Sequence, residues 1–334
     1  MSTIIISIEQ AFERSYAALK NSGTAEGNAR TTAEALVRAE TDGQRGHGLS
    51  RVPSYAAQAR SGKVQGHATP RIVQLKEGLF RVDAGCGFAY PALKLALSEL
   101  APRTNKLGIA AAALYHSHHF GVAGHPCEDL ARQGFVAFVY GNTPKAIAPF
   151  GAREKVLGTN PVAFAAPLDG DPLVIDFALS VVARGKIMAA KQAGAQIPQG
   201  WALSPEGQPT TDPDTALAGS MVPIGGVKGA ALALMIEIMS ACLAGAALGT
   251  EANSLFEEEG DPPNLGQVII AVDAKALSAG HFAGRIRELA ALYDRLEGAR
   301  LPGLTRLEKR REALRHGLNI PVALMEEINA LVQS

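Results

Sequence analysis

The spacing of apolar residues predicts helices over the first 65 residues of the chain. A capping box formed by Ser7 and Gln10 marks the start of the first helix, and Gly23 marks its end. A second helix is predicted over residues 24–42. A proline beyond that point is tolerated only in the first turn of a helix, so we expect the third helix to begin near Ser50.

The apolar pattern changes at about residue 71, where short runs typical of strands alternate with helical stretches. Such alternation indicates an α/β layer. Strands are predicted over residues 71–75, 79–82, 108–114, 135–140, 161–166, 172–176 and 267–272, and helices over residues 91–100 and 126–132.

From residue 280 onward the pattern is helical again, and it ends with a helix over residues 321–332. A helical start, an α/β middle and a helical end predict two domains. We expect residues 1–75 and 305–334 to form a mainly helical domain, and residues 76–304 to form an α/β domain.

The composition excludes several classes of protein. Among the 334 residues, Lys+Arg and Asp+Glu number 32 each, and 19% of residues are charged. This sparse, balanced charge predicts that the protein binds neither nucleic acid nor an anionic membrane surface. The three cysteines are odd in number and far apart, which argues against a disulfide framework and indicates a reducing compartment.

Residues 230–249 are the one stretch long enough to cross a bilayer. The stretch carries Glu237 near its centre and is rich in alanine rather than leucine or isoleucine, so a buried helix is predicted. The apolar residues at the start of the chain lack a preceding cationic segment, and no signal peptide is predicted. We therefore expect a cytoplasmic protein without a membrane segment.

Four of the eight histidines, His116, His118, His119 and His125, follow a predicted strand directly. Imidazoles spaced in this way can converge on one metal ion. A glycine-containing loop after a strand is also typical of a place where the backbone approaches a ligand closely. The second interpretation fits the neighbouring glycines better, and no metal is predicted.

His47 and Arg51 suggest acid–base chemistry. A histidine ahead of a helix N-terminus binds its proton weakly, and an arginine four residues later can hold a carboxylate. The pair can thus bind a carboxylate substrate and exchange a proton with the adjacent atom. A turn in which His47 only caps the helix is the alternative.

Residues 225–229, Gly-Gly-Val-Lys-Gly, open the alanine-rich stretch. Exposed N–H groups at a helix start and a lysine can hold a phosphate, although a close-packed glycine turn has the same sequence. The glycine fingerprint of a Rossmann site is absent, because Tyr90 occupies the third glycine position after Gly85 and Gly87. No Gly-x-Ser-x-Gly elbow supports a serine nucleophile.

Taken together, these segments resemble the malate/L-lactate dehydrogenase family of nicotinamide-dependent oxidoreductases. The resemblance rests on His47 with Arg51, on Ser-His-His-Phe-Gly at residues 117–121 and on Gly-Thr-Asn-Pro at residues 158–161. The remaining matching segments are residues 176–180, 225–229, 266–267 and 300–303. They extend over nearly the whole chain.

The resemblance implies an α/β fold with a non-Rossmann cofactor-binding domain on a mixed sheet, a second, mainly helical domain formed by both termini, and a homodimer. It implies that His47 is the proton donor and that Arg51, Thr159 and His118 bind a small carboxylate substrate. The expected cofactor is NADPH, with NADH as the alternative. The residues implied to bind it are His119, Phe120, Gly121, Val122, Ala123, Asp176, Phe177, Ala178, Arg184, Gly185, Gly225, Gly226, Lys228, Arg300, Pro302, Gly303 and Arg306.

One position departs from the family pattern. In the family a serine commonly precedes the catalytic histidine and relays charge, whereas this chain has Gly46. Water or a neighbouring side chain would therefore have to orient the imidazole of His47.

The resemblance also bears on the substrate. Residues 82–92 are similar to the cyclic imine reductases, which implies NADPH-dependent reduction of Δ1-piperideine-2-carboxylate or Δ1-pyrroline-2-carboxylate to L-pipecolate or L-proline. The histidine loop is similar to the 2-hydroxyacid dehydrogenases, so a dehydrogenase of malate, lactate or ureidoglycolate type is the alternative. A metal-dependent hydrolase or lyase built on the histidines is a third hypothesis.

Overall fold

The computed structural model describes residues 2–333 and contains, within that range, a seven-stranded sheet, a three-stranded sheet, a two-stranded sheet and twelve α-helices. The strands are β1 (Thr3–Ile6), β2 (Arg71–Lys76), β3 (Leu79–Asp83), β4 (Ile109–Ser117), β5 (Phe135–Gly141), β6 (Val162–Ala166), β7 (Leu173–Phe177), β8 (Ala202–Leu203), β9 (Pro209–Thr210), β10 (Ser220–Met221), β11 (Leu265–Asp273) and β12 (Leu318–Pro321). The helices are α1 (Ile8–Asn21), α2 (Glu26–Thr41), α3 (Val52–Ser61), α4 (Ala89–Leu107), α5 (Gly124–Ala131), α6 (Arg184–Gln192), α7 (Pro213–Ala218), α8 (Val227–Glu237), α9 (Ala274–Leu277), α10 (Phe282–Asp294), α11 (Leu304–His316) and α12 (Val322–Gln333).

The large sheet has the strand order β2-β3-β4-β11-β5-β6-β7. Only β3 and β4 run parallel, and the other neighbours are antiparallel. A doubly wound dinucleotide fold requires a mostly parallel sheet, so this topology is of a different kind. The predicted α/β fold with a mixed sheet is confirmed, and every predicted strand is present with small shifts at its ends.

The first helix begins as its sequence predicts. Ser7 Oγ accepts a hydrogen bond from the Gln10 N–H at 3.0 Å, and Gln10 Oε1 accepts one from the Ser7 N–H at 2.9 Å. The predicted capping box is therefore confirmed. Two short 3-10 turns, Arg45–His47 and Leu49–Arg51, separate α2 from α3.

The two ends of the chain lie together. Strand β1 pairs with β12 in an antiparallel register that places Ile6 opposite Leu318, and α1 packs against α12. One hydrophobic core joins these terminal elements to the large sheet, and a second core lies within residues 146–236. Strand β2 belongs to the large sheet and crosses the boundary predicted at residue 75, and the two-domain division stays a prediction.

The alanine-rich stretch forms α8 and a following π-helical turn, Ile238–Cys242. Its small residues face inward, since a Cβ at Gly229 would meet the carbonyl oxygen of Ile224 at 1.6 Å. Several of its large apolar residues face outward, and Leu234 and Ile238 are each 51% exposed. The prediction of a buried helix holds for the face that carries Ala233, Ile236 and Glu237 and is wrong for the outward face. Within residues 2–333, every helix is too short or too polar to cross a membrane.

Candidate active site

His47 lies in the tight turn that the sequence predicted. The carboxylate of Glu40, buried inside α2, accepts a hydrogen bond from the Leu49 N–H at 2.9 Å and so fixes the turn from behind. A Cβ at Gly48 would lie 2.3 Å from that carboxylate, so only glycine leaves room for this contact. Arg51 Nε donates to the carbonyl oxygen of Gly46 at 2.7 Å. The predicted pair, His47 and Arg51, is therefore held on one turn.

The histidine loop supplies a second imidazole to this turn. The rings of His47 and His119 stack with centroids 5.1 Å apart and an interplanar angle of 13°. Nδ1 of His47 lies 3.1 Å from Nε2 of His119, and Nδ1 of His119 lies 2.5 Å from the Tyr55 hydroxyl. That hydroxyl lies 3.3 Å from the hydroxyl of Tyr90. Tyr55 follows Arg51 by four residues and so extends onto the same face of α3.

Burial and positive charge keep these imidazoles neutral. Burial, followed by the charge of Arg51, lowers the pKa of His47 to about 4 and that of His118 to about 3. The same two causes hold the pKa of His119 well below its ordinary value. Burial raises the pKa of Tyr55 to about 12, so its hydroxyl stays protonated. The site therefore contains neutral proton donors and acceptors beside one fixed positive charge.

The four clustered histidines have different partners. His116 contacts Asp83 at 2.9 Å and His125 contacts the carboxylate of Asp42 at 3.0 Å. His118 is buried, lies edge-on to Tyr55 and has no hydrogen-bond partner at either ring nitrogen among the residues that the structure describes. In the part of the chain that the structure describes, no group of three or more His, Cys, Asp or Glu is arranged to hold a metal ion. The histidines therefore do not form the ligand set that a metal-dependent hydrolase requires.

The guanidinium of Arg51 stacks on the ring of Phe256 at 5.2 Å, and the guanidinium of Arg184 lies 5.9 Å from the same ring. Neither guanidinium pairs with a carboxylate of residues 2–333, and Arg184 Nε is buried without a hydrogen-bond partner. Sequence reasoning placed Arg184 with the cofactor and overlooked Phe256. The structure places both beside the predicted substrate arginine.

Residues 254–259 are tied to the end of α3 through their backbone. Lys63, whose side chain is buried, donates from Nζ to the carbonyl oxygens of Ser254 at 2.7 Å, Glu257 at 2.9 Å and Glu259 at 3.1 Å. Gln58 Nε2 also donates to the Glu257 carbonyl at 2.9 Å. This anchored segment, which we call the 254–259 wall, carries Phe256 and so holds the aromatic ring against Arg51.

Many of the predicted cofactor residues line one cavity of about 510 Å³. The cavity lies between β7, α5 and the start of α11. The predicted cofactor residues among its lining are Val122, Asp176, Phe177, Arg300, Pro302, Gly303 and Arg306. The loop over residues 118–124 reaches from His119, beside His47, to Val122 in the cavity wall. A ligand in the cavity can therefore extend to the catalytic turn.

Two groups at this cavity are suited to a cofactor with hydroxyl and phosphate groups. Burial raises the pKa of Asp176 to about 6, although the Gly124 N–H donates to its carboxylate at 2.8 Å. Within residues 2–333, the buried Nη2 group of Arg306 has no hydrogen-bond partner. The cavity also borders the N-terminus of α11, where free N–H groups attract anions. The carboxylate of Asp176, the Nη2 group of Arg306 and the start of α11 fit the ribose hydroxyls and phosphates of a dinucleotide.

Arg306 is also part of a cluster of charged side chains. Its Nη1 donates to Asp42 at 2.9 Å and to Glu128 at 2.6 Å. Arg310 donates to the same two carboxylates at distances of 2.6 to 2.9 Å. Burial alone would raise the pKa of Asp42 and Glu128, but hydrogen bonds from these arginines, and from His125 to Asp42, hold both pKa values well below their usual range. We call these five residues the Asp42 cluster.

Other predicted residues occupy neighbouring loops. Residues 179–181 pair with residues 222–224 through backbone hydrogen bonds of 2.8 and 2.9 Å, so the segment after Asp176 lies beside the glycine turn over residues 225–229. The hydrogen bonds of Thr159 go to Thr143 and to the Leu179 N–H rather than to the catalytic turn. Phe120 packs on Gly141, and Gly121 packs on Tyr90. Ala123 precedes α5 and Ala178 follows β7. The remaining predicted cofactor residues lie at the starts of α6 and α8, namely Gly185, Gly225, Gly226 and Lys228.

The chain matches a family model described as malate/L-lactate dehydrogenase over residues 6–329. It is 48% identical over 334 residues to a (2R)-3-sulfolactate dehydrogenase (NADP(+)) from Chromohalobacter salexigens, covering 99% of this chain and 98% of that protein. It is 37% identical over 316 residues to a Δ1-pyrroline-2-carboxylate/Δ1-piperideine-2-carboxylate reductase from Pseudomonas putida, covering 93% of this chain and 92% of that protein. The crystal structure of Δ1-piperideine-2-carboxylate reductase from Pseudomonas syringae is similar with a TM-score of 0.93 and 35% identity, covering 98% of this chain and 100% of that one.

Proposed function

Because the chain belongs to the malate/L-lactate dehydrogenase family of oxidoreductases, we propose that it interconverts a 2-hydroxy carboxylate and the corresponding 2-oxo carboxylate with NADP(H). We further propose that the substrate carries a second anionic group, as 3-sulfolactate and malate do. One observation carries this choice: Arg51 and Arg184 lie against the same ring of Phe256, and neither has a carboxylate partner among residues 2–333.

Two guanidinium groups without carboxylate partners near one ring repel each other, and water screens part of that repulsion because Phe256 is 43% exposed. A substrate with a carboxylate and a second anionic group gives both of them a charge-assisted partner. A monocarboxylate such as lactate would bind to Arg51 and leave Arg184 without a partner. The sulfolactate dehydrogenase name of the 48% identical relative agrees with a dianionic substrate.

The chemistry assigned to the protein follows from the geometry of the catalytic turn. Arg51 holds the substrate carboxylate, which orients C2 and its oxygen towards His47. His47 is neutral at pH 7 because its pKa is about 4, and a neutral imidazole can accept the hydroxyl proton during oxidation. The cofactor, when bound, takes the hydride from C2 or returns it. Asp176, Arg300 and Arg306 would hold that cofactor in the cavity of about 510 Å³.

Reduction of a cyclic imine carboxylate is the second candidate. Residues 82–92, which resemble the imine reductases, supply Phe88 and Tyr90 to the surroundings of Tyr55. The relatives named as pyrroline- and piperideine-carboxylate reductases, at 35–37% identity, also favour it. In that reaction His47 would supply a proton to the ring nitrogen and Arg184 would have no partner on the substrate.

A substrate panel tests the proposal. With NADP⁺ we expect kcat/KM for 3-sulfolactate or malate to exceed that for lactate by about 10- to 100-fold, as one additional charged hydrogen bond would give. With NADPH, 3-sulfopyruvate and oxaloacetate should be reduced faster than both cyclic imines. Faster reduction of either imine than of every 2-oxo acid would establish the second candidate instead. Equal kcat/KM values for lactate and for the dianionic substrates would contradict the proposed role of Arg184.

We also propose that the protein is a homodimer, as its resemblance to the family implies. The outward face of α8 and the turn after it presents Val227, Leu234, Met235, Ile238 and Leu243, each at least 45% exposed. A continuous apolar strip of this kind is unusual on the surface of a monomer. A second copy of the chain is the occupant that would cover it.

A further inference from the structure

Nδ1 of His47 needs a hydrogen-bond partner that fixes the orientation of the ring. Residue 46 is a glycine and has no side chain that could be this partner. In the structure, His47, His119, Tyr55 and Tyr90 are connected in this order by contacts of 3.1, 2.5 and 3.3 Å between their polar atoms. We propose that His119 and Tyr55 are positioning residues that orient the imidazole of His47 and pass a proton between it and Tyr90. The inference rests on the proposed function, since it assumes that His47 exchanges a proton with the substrate.

The chain of contacts has two consistent directions. In the first, Tyr90 donates to Tyr55, Tyr55 to His119 Nδ1, and His119 Nε2–H to His47 Nδ1, which leaves a proton on Nε2 of His47. In the second, every donor and acceptor is exchanged, which leaves a lone pair on that atom. The first direction prepares His47 to give a proton to the substrate, and the second prepares it to accept one. Each direction therefore corresponds to one neutral tautomer of His47, and the two tautomers differ.

Reversal of the direction moves a proton without creating a buried charge. During oxidation the substrate O–H bond breaks and Nε2 of His47 gains the proton, while His47 Nδ1–H passes to His119 and His119 Nδ1–H passes to Tyr55. Tyr55 passes its proton to Tyr90, and Tyr90 gives its own to water, which receives the one proton that alcohol oxidation releases. Every side chain is neutral before and after. This matters because Arg51 and burial make an imidazolium costly here.

The surrounding packing holds the relay in place. The ring of Tyr55 contacts Phe88, at a centroid distance of 5.1 Å, and His118, at 5.4 Å. Gly121 has a φ of +72°, and a Cβ there would lie 2.7 Å from the Tyr90 hydroxyl. The loop that carries His119 thus has a glycine where Tyr90 needs room.

The test compares Tyr55→Phe with Tyr140→Phe. Tyr55→Phe removes the hydroxyl and keeps the ring, so kcat for substrate oxidation should fall roughly 10- to 100-fold while both KM values change less than about twofold. The acid limb of its kcat profile should also shift. The hydroxyl of Tyr140, in β5, makes no hydrogen bond in the described part of the chain, and Tyr140→Phe should leave kcat unchanged. An unchanged kcat and pH profile in Tyr55→Phe would overturn the relay.

A second measurement does not depend on activity. Nitrogen chemical shifts of ¹⁵N-histidine-labelled protein distinguish the two neutral tautomers of an imidazole. At pH 7 we expect one dominant tautomer for His47 in the unmodified protein and a mixture in Tyr55→Phe. The same single tautomer in both would overturn the inference. Failure of the proposed function is separate, because it would show in the substrate panel as faster reduction of a cyclic imine than of every 2-oxo acid, whatever Tyr55→Phe does.

Discussion

Arg310 donates from Nε to Oδ1 of Asp42 at 2.6 Å and from Nη2 to Oδ2 at 2.7 Å. This two-point contact connects α11, near the end of the chain, to the residue that follows α2 and precedes His47 by five positions. Arg310 makes the same kind of contact with Glu128 of α5. One guanidinium therefore connects the end of α2 with α5 and α11, and the last two of these border the cavity of about 510 Å³.

Arg310→Met should lower the free energy of unfolding by about 3–5 kcal/mol, because it removes a two-point partner from each of two buried carboxylates. Urea unfolding followed by circular dichroism measures this change. The matched control is Arg285→Met, which breaks an exposed ion pair with Glu288 and should cost less than about 1 kcal/mol. Equal losses in both variants would show that the Asp42 cluster adds nothing to stability.

The same cluster predicts how stability responds to acid. The pKa values of Asp42 and Glu128 are lowered in the folded protein, so their contribution is fully present above the ordinary carboxyl pKa of about 4 and is lost as the pH falls below it. The urea midpoint should therefore decline steeply between about pH 4 and pH 2. Arg310→Met should flatten this decline. If the urea midpoint falls by the same amount with pH in Arg310→Met as in the unmodified protein, the assignment is wrong.

The oxidation rate should report the pKa of His47. Since burial and then Arg51 lower this pKa to about 4, the imidazole keeps its neutral, proton-accepting form at every pH above about 5. We expect kcat/KM for oxidation to stay level from about pH 8 down to pH 5 and to fall below that range. A fall centred near 6.5, the ordinary histidine value, would show that the imidazole is more exposed in the working enzyme. His47→Gln should reduce kcat by roughly 10²–10⁴-fold.

Arg184→Met should separate dianionic from monoanionic substrates. Loss of one charged hydrogen bond predicts a decrease of about 10- to 100-fold in kcat/KM for 3-sulfolactate or malate, with lactate nearly unchanged. Lys186→Met, which removes an exposed charge from the same helix, is the control. A higher KM for NADP(H) with unaltered substrate preference would show that Arg184 binds the cofactor, as the family resemblance implied.

The proposed dimer can be tested at its apolar strip. Leu234 and Ile238 are each 51% exposed on α8 and the turn after it, and a glutamate at either position would place a charge in the buried contact. Leu234→Glu and Ile238→Glu should halve the mass measured by light scattering. Leu277→Glu, at an 81% exposed leucine of α9, should keep the original mass. A monomeric unmodified protein would refute the proposal.

Local patterns predicted most of the fold. The capping box at Ser7 and the short apolar runs of the large sheet depend on neighbours in sequence, and both were predicted correctly. The pairing of β1 with β12 was missed, because two four-residue strands more than 300 positions apart carry no joint signal. The exposed face of α8 was missed for a related reason. Composition alone does not tell which side of an apolar helix is covered.

The site was predicted in the same uneven way. The pair of His47 and Arg51 was evident because four residues separate them across the start of a helix. Tyr55 follows Arg51 at the same spacing, and that signal could have placed it in the site. The contacts of His119 and Phe256 depend on loops far away in sequence, so only the folded chain brings them to Arg51.

The 254–259 wall is attached to Gln58 and Lys63 through its backbone carbonyl oxygens, and the side chain of Phe256 is itself 43% exposed. Every amino acid offers the same carbonyl, so the attachment is indifferent to which residue occupies position 256. Substrate preference can then diverge by single substitutions at that position while the scaffold stays intact. The protein thereby separates the part of its sequence that can evolve new selectivity from the part that must be kept.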